Sequence, residues 1–297
     1  MIALPGPLQR RVEALARHMI DVPGMTVDFS APAGAPALSA PDGVSWRVMK
    51  NPVALIIGGV AAVILELAEP RVRTGVWEHT SFRRDPMTRM RRTGYAAWTT
   101  VYAPAQAARA MIAGVVRAHE RIKGQTPAGA PYRANDEELL NWVHATAGFG
   151  FTEAYRRFVR PLTAEELDGV YAEGALSAAL YGAHGAPRSA AEMEALFAAM
   201  APKLERSDIV FEFMQIVRAA PVLPVQRLHH PMIRAAVEIT PAWAREILGL
   251  DRKYGLRPGE ETLLKTMGAV ADRFLIEDAP PAQACVRMGL PANYLYR

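Results

Sequence analysis

Cysteine is almost absent from this 297-residue chain, which carries Cys285 alone. A single thiol cannot form a disulfide within the chain, so no pairing demands an oxidising compartment. The first twenty residues also lack the basic start and apolar stretch that mark a secretory signal peptide. The sequence therefore predicts a cytoplasmic protein without structural disulfides.

Long hydrophobic runs are missing as well. The strongest one, Val53–Leu65, has 13 residues and is followed at once by Glu66, whereas a helix that spans a bilayer needs about 20. We expect this run to form a helix buried in a protein core, with a membrane-contacting helix as the alternative, and no integral membrane span. Within it, Gly58 and Gly59 would let a macrocycle or a neighbouring helix approach closely.

Strand patterns are scarce, and only Val44–Val48 has the alternation of a short extended piece. Elsewhere, stretches rich in Ala, Leu, Glu and Arg alternate with short Pro/Gly breaks, which predicts an all-α fold with a single helical domain over residues 51–297. Residues 1–50 are expected to form a helix at Leu8–Ile20 and then an extended Pro/Gly-rich arm.

Helix-capping signals predict where the helices begin and end. Several starts carry Asn, Asp, Thr or Ser before the first turn, or Pro within it. They are Pro52, Asp85 with Pro86, Pro104, Asn135 or Asp136, Thr163 with Glu166, Ser189 with Glu192, and Thr240 with Pro241. We expect the helix that begins at Pro52 to be closed by Pro70, and the one that begins at Pro104 to end at Gly124.

Most familiar catalytic motifs are absent too. The string HERIK begins like a zinc-protease motif, but Lys123 stands where the second histidine must be. No Glu-x-x-His pair of a carboxylate-bridged di-iron bundle occurs, and no phosphate-binding loop. The glycines of Gly148–Phe151 follow a predicted helix rather than a strand, so a dinucleotide site is not expected there.

The charge pattern gives no sign of a nucleic-acid partner. The net charge is only +4, and the basic residues are spread along the chain. The densest cluster is Arg83, Arg84, Arg89, Arg91 and Arg92, which comes without interleaved aromatic residues or a DNA-reading motif.

His119 is the histidine that best suits a metal ligand. Val115 and Val116 one turn before it, and Ile122 after it, give it an apolar flank on its predicted helix. A buried imidazole needs a partner for each ring nitrogen, and iron is one such partner. A core histidine bonded to backbone is the alternative, and the local pattern alone favours it.

Three residues on the next helix upstream share one face, because Arg89, Arg92 and Thr93 stand at positions i, i+3 and i+4. An arginine beside a threonine hydroxyl could donate hydrogen bonds to bound dioxygen or bind a cofactor carboxylate. A solvated basic face with Asp85 paired to Arg89 is the alternative.

Further candidates surround these two segments. His144, in ELLNWVHATAG, is a pocket residue or second ligand, or else a core histidine. His79 lies just before Asp85 and could reach the same pocket as His144 or cap a turn. Lys123 is a further candidate for binding the cofactor. The pair His229-His230, followed by Pro231, is predicted to lie in a loop.

Taken in order, these segments resemble a known family. The string NPVALIIGGVAAVILELAEPRVRTGVWEHTSFRRDPMTRMRRT, then VRAHERIKG, then YRANDEELLNWVH is similar to latex-clearing protein and the fungal oxygenase MpaB. The resemblance is strong from Pro52 to Pro161 and weaker to Arg257, where TPAWAREILGL looks like a family element.

That resemblance implies an all-helical protein with a globin-like core around haem b. Its characterised members cleave carbon–carbon double bonds of isoprenoid chains with dioxygen. By resemblance, Arg89 and Thr93 match the family's Arg-x-x-x-Thr pair, and His119 matches the proximal haem ligand. His144 matches the WVH element. Arg92 stands where latex-clearing protein has a distal lysine, and its bulkier, forked guanidinium puts the same distal mechanism in doubt.

From the sequence we therefore predict a haem b-dependent oxygenase acting with dioxygen on a small apolar, unsaturated, isoprenoid-like substrate. A haem-binding sensor or carrier without turnover is the main alternative, and a haem-free helical interaction protein is the second. The sequence leaves open whether the chain forms a homo-oligomer.

Overall fold

A computed structural model describes Val22, residues 24–220 and residues 226–296 of the chain. The described residues form thirteen α-helices, three short 3-10 helices and one two-stranded hairpin. The all-α prediction is confirmed. The predicted helix Leu8–Ile20 lies outside the described residues. Of the N-terminal part of the chain before Gly24, only Val22 is described.

The elements follow one another in this order: α1 Val44–Met49, α2 Pro52–Glu66, α3 Pro70–His79, α4 Pro86–Tyr102, α5 Ala105–His119, β1 Lys123–Gln125, β2 Pro131–Arg133, α6 Glu137–Phe158, α7 Ala164–Tyr181, α8 Ala190–Met200, α9 Asp208–Ala219, α10 Gln226–Ile239, α11 Ala242–Leu248, α12 Glu260–Asp272 and α13 Pro280–Arg287. The 3-10 helices are Ala201–Lys203, Arg252–Tyr254 and Tyr294–Tyr296.

Most helices begin where the capping signals predict. The Asp85 carboxylate accepts a hydrogen bond from the Thr88 backbone N–H at 3.1 Å, and Asp136 rather than Asn135 caps α6. Thr163 and Glu166 form a reciprocal capping box at the start of α7. These caps satisfy backbone N–H groups that have no partner within the helix. Pro70 does not end α2 but opens α3, since α2 already stops at Glu66.

Helix α2 lies at the centre of the core and packs most extensively against α6. Gly58 and Gly150 form the crossing point, because a Cβ atom on Gly58 would lie only 2.6 Å from the Gly150 carbonyl oxygen. A neighbouring helix, not a macrocycle, is therefore what approaches Gly58. Ile57 and Ile64 of α2 are fully buried, as expected for its uninterrupted apolar sequence.

No single helix in the described part of the chain is long and apolar enough to cross a bilayer. One bent pair, α2 with α3, meets the length and composition test together, with an angle of 111° between its two halves.

Val44–Val48 is helical, so the predicted extended piece is wrong. The Glu173 carboxylate on α7 accepts hydrogen bonds from the Val44 and Ser45 backbone N–H groups at 3.0 and 2.9 Å. This carboxylate supplies from another helix the cap that the local sequence lacks.

Helix α5 ends at His119, five residues before the predicted end at Gly124. Lys123 and Gly124 instead belong to β1, which pairs antiparallel with β2 so that Gly124 faces Tyr132. A Cβ atom on Gly124 would lie 2.8 Å from the Tyr132 hydroxyl oxygen. The glycine thus permits close packing of Tyr132, and the hairpin provides the backbone hydrogen bonds that a longer helix would have made.

The histidine pair His229-His230 lies in α10, not in a loop. Pro231 is inside this helix and removes one backbone donor. The segment is helical despite Pro231 because His229, Met232 and Ala236 present one buried face to the core.

Candidate active site

Glu66, the last residue of α2, is partly buried and keeps some accessible surface. Burial raises the pKa of its carboxyl to about 7, although the nearby Arg89 and Thr146 side chains act in the opposite direction. Near neutral pH this carboxyl can therefore hold or release a proton.

Arg89 of α4 lies within electrostatic reach of Glu66. Its guanidinium donates a hydrogen bond to the Thr93 hydroxyl, and that hydroxyl donates to the Arg89 carbonyl oxygen at 2.9 Å. Burial lowers the pKa of Arg89, and the Glu66 carboxyl raises it. Glu66 and Arg89, both among the described residues, make no direct ion pair, although each affects the pKa of the other.

Thr146 of α6 completes what we call the enclosed polar group, namely Glu66, Arg89 and Thr146. Thr146 is fully buried, and its hydroxyl donates to the Val143 carbonyl oxygen at 2.9 Å. Thr146 also lies near Glu66, because α6 packs against α2. Three different helices thus converge on a polar spot within an otherwise apolar core.

Arg92 and Thr93 lie on the same helix as Arg89 but are exposed. Arg92 is close enough to contribute to the lowered pKa of Arg89. Asp85 caps Thr88, and the side-chain partner of Arg89 is Thr93. The Asp85–Arg89 side-chain pair of the alternative is therefore not observed among the described residues, whereas Arg92 and Thr93 are solvated as that alternative expects.

His119 is the last residue of α5 and is half-buried. Burial, and then the nearby Arg89 guanidinium, lower the pKa of its imidazole, while the neighbouring Asn135 side chain raises it. Because the net shift is downward from 6.5, the ring is neutral at neutral pH, which is the form that binds metals. Its Nδ1 atom is buried and has no hydrogen-bond partner of good geometry among the described residues.

His144 lies in the middle of α6 and is partly buried. Burial lowers the pKa of its imidazole to about 4, so the ring is uncharged. Its Nε2 atom faces Gly174 of α7, where a Cβ atom would lie 3.2 Å away. Thr146 is two residues further along the helix, so the two side chains point to different sides of α6.

His79 and Lys123 are exposed, and the structure does not bring them to the enclosed polar group. The Nε2 atom of His79 is 3.1 Å from the Tyr132 hydroxyl, which ties the end of α3 to the hairpin. Lys123 occupies the first position of β1. Neither the pocket contact nor the turn cap considered for His79 is observed among the described residues.

Sequence reasoning missed Glu66, Thr146 and Asn135. Glu66 had a visible signal, because an ionisable residue directly follows a buried apolar run. Thr146 had none, since a threonine inside a helix is ordinary. Asn135 was considered only as a helix cap, and its contact with His119 depends on how the hairpin returns the chain.

No group of three or more His, Cys, Asp or Glu side chains in residues 24–220 and 226–296 could hold a metal ion by itself. A surface pocket elsewhere contains none of the predicted site residues. It is lined by Leu38, Ser39, Asp42, Gly43, Glu173 and Leu176, among others.

Comparison with known proteins identifies the family. The family model described as "ER-bound oxygenase mpaB/B'/Rubber oxygenase, catalytic domain" matches residues 46–273, well over half of the 297 residues. No curated protein and no solved structure matches the chain. The matched range contains the enclosed polar group and His119, and it confirms the resemblance noted in the sequence. The chain therefore belongs to the mpaB and rubber oxygenase family, and its helical domain is an oxygenase catalytic domain.

Proposed function

We propose that this oxygenase depends on haem b and uses dioxygen to cleave, or otherwise oxygenate, a carbon–carbon double bond of a small apolar, isoprenoid-like substrate. The observation that carries the proposal is the neutral, half-buried His119 within electrostatic reach of Arg89 and the enclosed polar group.

The residues present fit haem better than a metal ion bound by protein alone. A haem brings four nitrogen ligands with it, so the protein needs to supply only one or two more. His119 can be that ligand, because its imidazole is uncharged near neutral pH. The bound haem would supply the oxygen chemistry, which side chains alone do not provide.

The chain's own residues would control polarity and protons in the pocket. Arg89, oriented by Thr93, presents hydrogen-bond donors from a partly buried position, where each is worth more than in water. Glu66 can take up a proton at its carboxyl or release one, because its pKa is about 7. The apolar side chains of α2 and α6 exclude water from the same region.

The remaining candidates take different roles. Arg92, exposed one turn from Arg89, is a candidate partner for the carboxylates of the cofactor, as is the exposed Lys123. His144 would form part of the pocket wall rather than an iron ligand, because its Nε2 atom faces α7. The substrate would be apolar because the surrounding core offers few polar partners.

An absorption spectrum tests the cofactor directly. We expect wild-type protein, as purified or after addition of haemin, to show a Soret band that His119→Ala abolishes or shifts. His184→Ala is the matched control, because His184 is exposed, and it should retain the wild-type band. A band unchanged in His119→Ala would disprove the ligand assignment.

Turnover is tested separately from binding. Incubation of the haem-loaded protein with an isoprenoid and dioxygen should yield either cleavage products that carry carbonyl groups or other oxygenated products. A protein that binds haem stoichiometrically but forms none of these would be a sensor or carrier. A protein that takes up no haem would exclude both functions.

A further inference from the structure

We propose that Asn135 is a positioning residue that holds the His119 ring in the tautomer with its proton on Nδ1, so that the Nε2 lone pair is free for iron. The part of this inference that concerns iron rests on the proposed function. The part that concerns the tautomer depends only on the protein.

The orientation of the Asn135 amide is set by the last turn of α5. Its Nδ2 atom donates a hydrogen bond to the Val116 carbonyl oxygen at 3.1 Å. Only the nitrogen of the amide can donate to a carbonyl, so this bond distinguishes the nitrogen from the oxygen. The Oδ1 atom must therefore point to the other side, as an acceptor.

Two buried atoms beside this turn lack partners. Asn135 Oδ1 and His119 Nδ1 are both buried, and neither has a hydrogen bond of good geometry within the described residues. The two side chains are nevertheless neighbours, since Asn135 bonds to the carbonyl oxygen of Val116, which lies one helical turn before His119. A small rotation that joins them would satisfy both atoms and remove the cost of leaving each unpaired.

The chemistry of this pair allows only one tautomer. An amide oxygen accepts and cannot donate, so the facing Nδ1 atom must carry the proton. A neutral imidazole has a single ring proton, and Nε2 is therefore left with its lone pair. Such a hydrogen bond also fixes the ring orientation and raises the basicity of the ligating nitrogen.

The hairpin is what brings Asn135 to this position. Helix α5 ends at His119, β1 and β2 turn the chain back, and the Ala134 backbone N–H donates to the Ile122 carbonyl oxygen at 2.9 Å. Asn135 follows immediately. The short sheet thus returns the start of α6 to the end of α5.

Two substitutions separate the Oδ1 acceptor from the rest of the side chain. Asn135→Leu and Asn135→Asp both lose the Nδ2 bond to Val116, but only Asn135→Asp keeps an oxygen acceptor for His119. Asn141→Ala is the control, because Asn141 accepts from the Gly185 backbone N–H at 3.1 Å in a different part of α6.

The first measurement uses the haem-free protein. Nitrogen-15 shifts of the labelled histidines, with the His119 signals assigned from His119→Gln, report which ring nitrogen carries the proton. We expect the Nδ1–H form in wild type, Asn135→Asp and Asn141→Ala, and a shift toward the Nε2–H form in Asn135→Leu. An Nε2–H ring in wild type would overturn the proposal, even if the Asn135 variants do not fold.

The second measurement uses reduced, haem-loaded protein. Asn135→Leu should lower the iron–histidine stretching frequency and raise the reduction potential, whereas Asn135→Asp should shift both in the opposite direction. Values equal to wild type in both variants would contradict the proposed coupling to iron. Failure of the wild-type chain to take up haem would refute the proposed function instead, and the tautomer result would still decide the role of Asn135.

Discussion

The buried carboxyl of Glu66 makes the stability of this protein depend on pH in a way that one substitution should remove. Burial raises the pKa of Glu66 from an ordinary 4.5 to about 7 in the folded state. The folded protein therefore binds more protons than the unfolded chain between these two values. By linkage, this contribution to stability is complete below pH 4.5 and is lost as the pH rises through 7.

The size of the effect follows from the shift. A difference of about 2.5 pKa units at 1.36 kcal/mol per unit corresponds to roughly 3 kcal/mol. We treat this as an upper limit, since Glu66 keeps some accessible surface. Glu66→Gln has nearly the same shape and no charge to bury. We expect the stability of Glu66→Gln relative to wild type to increase by about 1–3 kcal/mol between pH 4.5 and pH 8.5.

Urea unfolding at both pH values, with equal m-values for the two proteins, measures this difference. Glu194→Gln is the control, because Glu194 is exposed on α8, and it should leave the pH dependence as in wild type. Contributions from other titrating groups cancel in the comparison. A relative stability of Glu66→Gln that stays constant with pH, or falls as the pH rises, would show that Glu66 is not buried as we describe.

Two further predictions concern the packing. Gly58→Ala should lower the free energy of unfolding by about 1–3 kcal/mol, because the new methyl group meets the Gly150 carbonyl. The control Gly94→Ala, at an open helical position, should instead raise the free energy of unfolding by about 0.5–1 kcal/mol. Equal thermal melts for the two variants would contradict the close crossing of α2 and α6. Asp272→Ala should lower the free energy of unfolding, measured with urea, by about 3 kcal/mol, because the buried Lys50 ammonium, 2.9 Å from the Asp272 carboxylate, loses its ionic partner. A decrease of less than about 0.5 kcal/mol would mean that water reaches Lys50.

The local sequence was sufficient wherever the deciding interaction lies within a few residues. Asp85, Asp136 and Thr163 cap helices whose first turns they immediately precede, so their effect is visible in the sequence. The apolar run of α2 likewise predicts burial without reference to a partner. The family resemblance was also carried by the sequence, since it depends on the order of short strings.

Predictions failed where a distant group decides the outcome. Helix α1 depends on the Glu173 carboxylate, more than 120 residues away in sequence. The end of α5 depends on a hairpin whose strands are only three residues each and carry no strand pattern. His229 lies in a helix because its buried face outweighs the proline that follows.

The sequence by itself determined the all-α class, the family and the histidine on α5, because periodicity, caps and motif order are local properties of the chain. Only the tertiary structure decided which polar side chains lie together. Glu66, Arg89 and Thr146 come from three helices, and the position of Asn135 depends on the hairpin. Their burial, and with it the raised pKa of Glu66, results from packing between elements that are far apart in sequence.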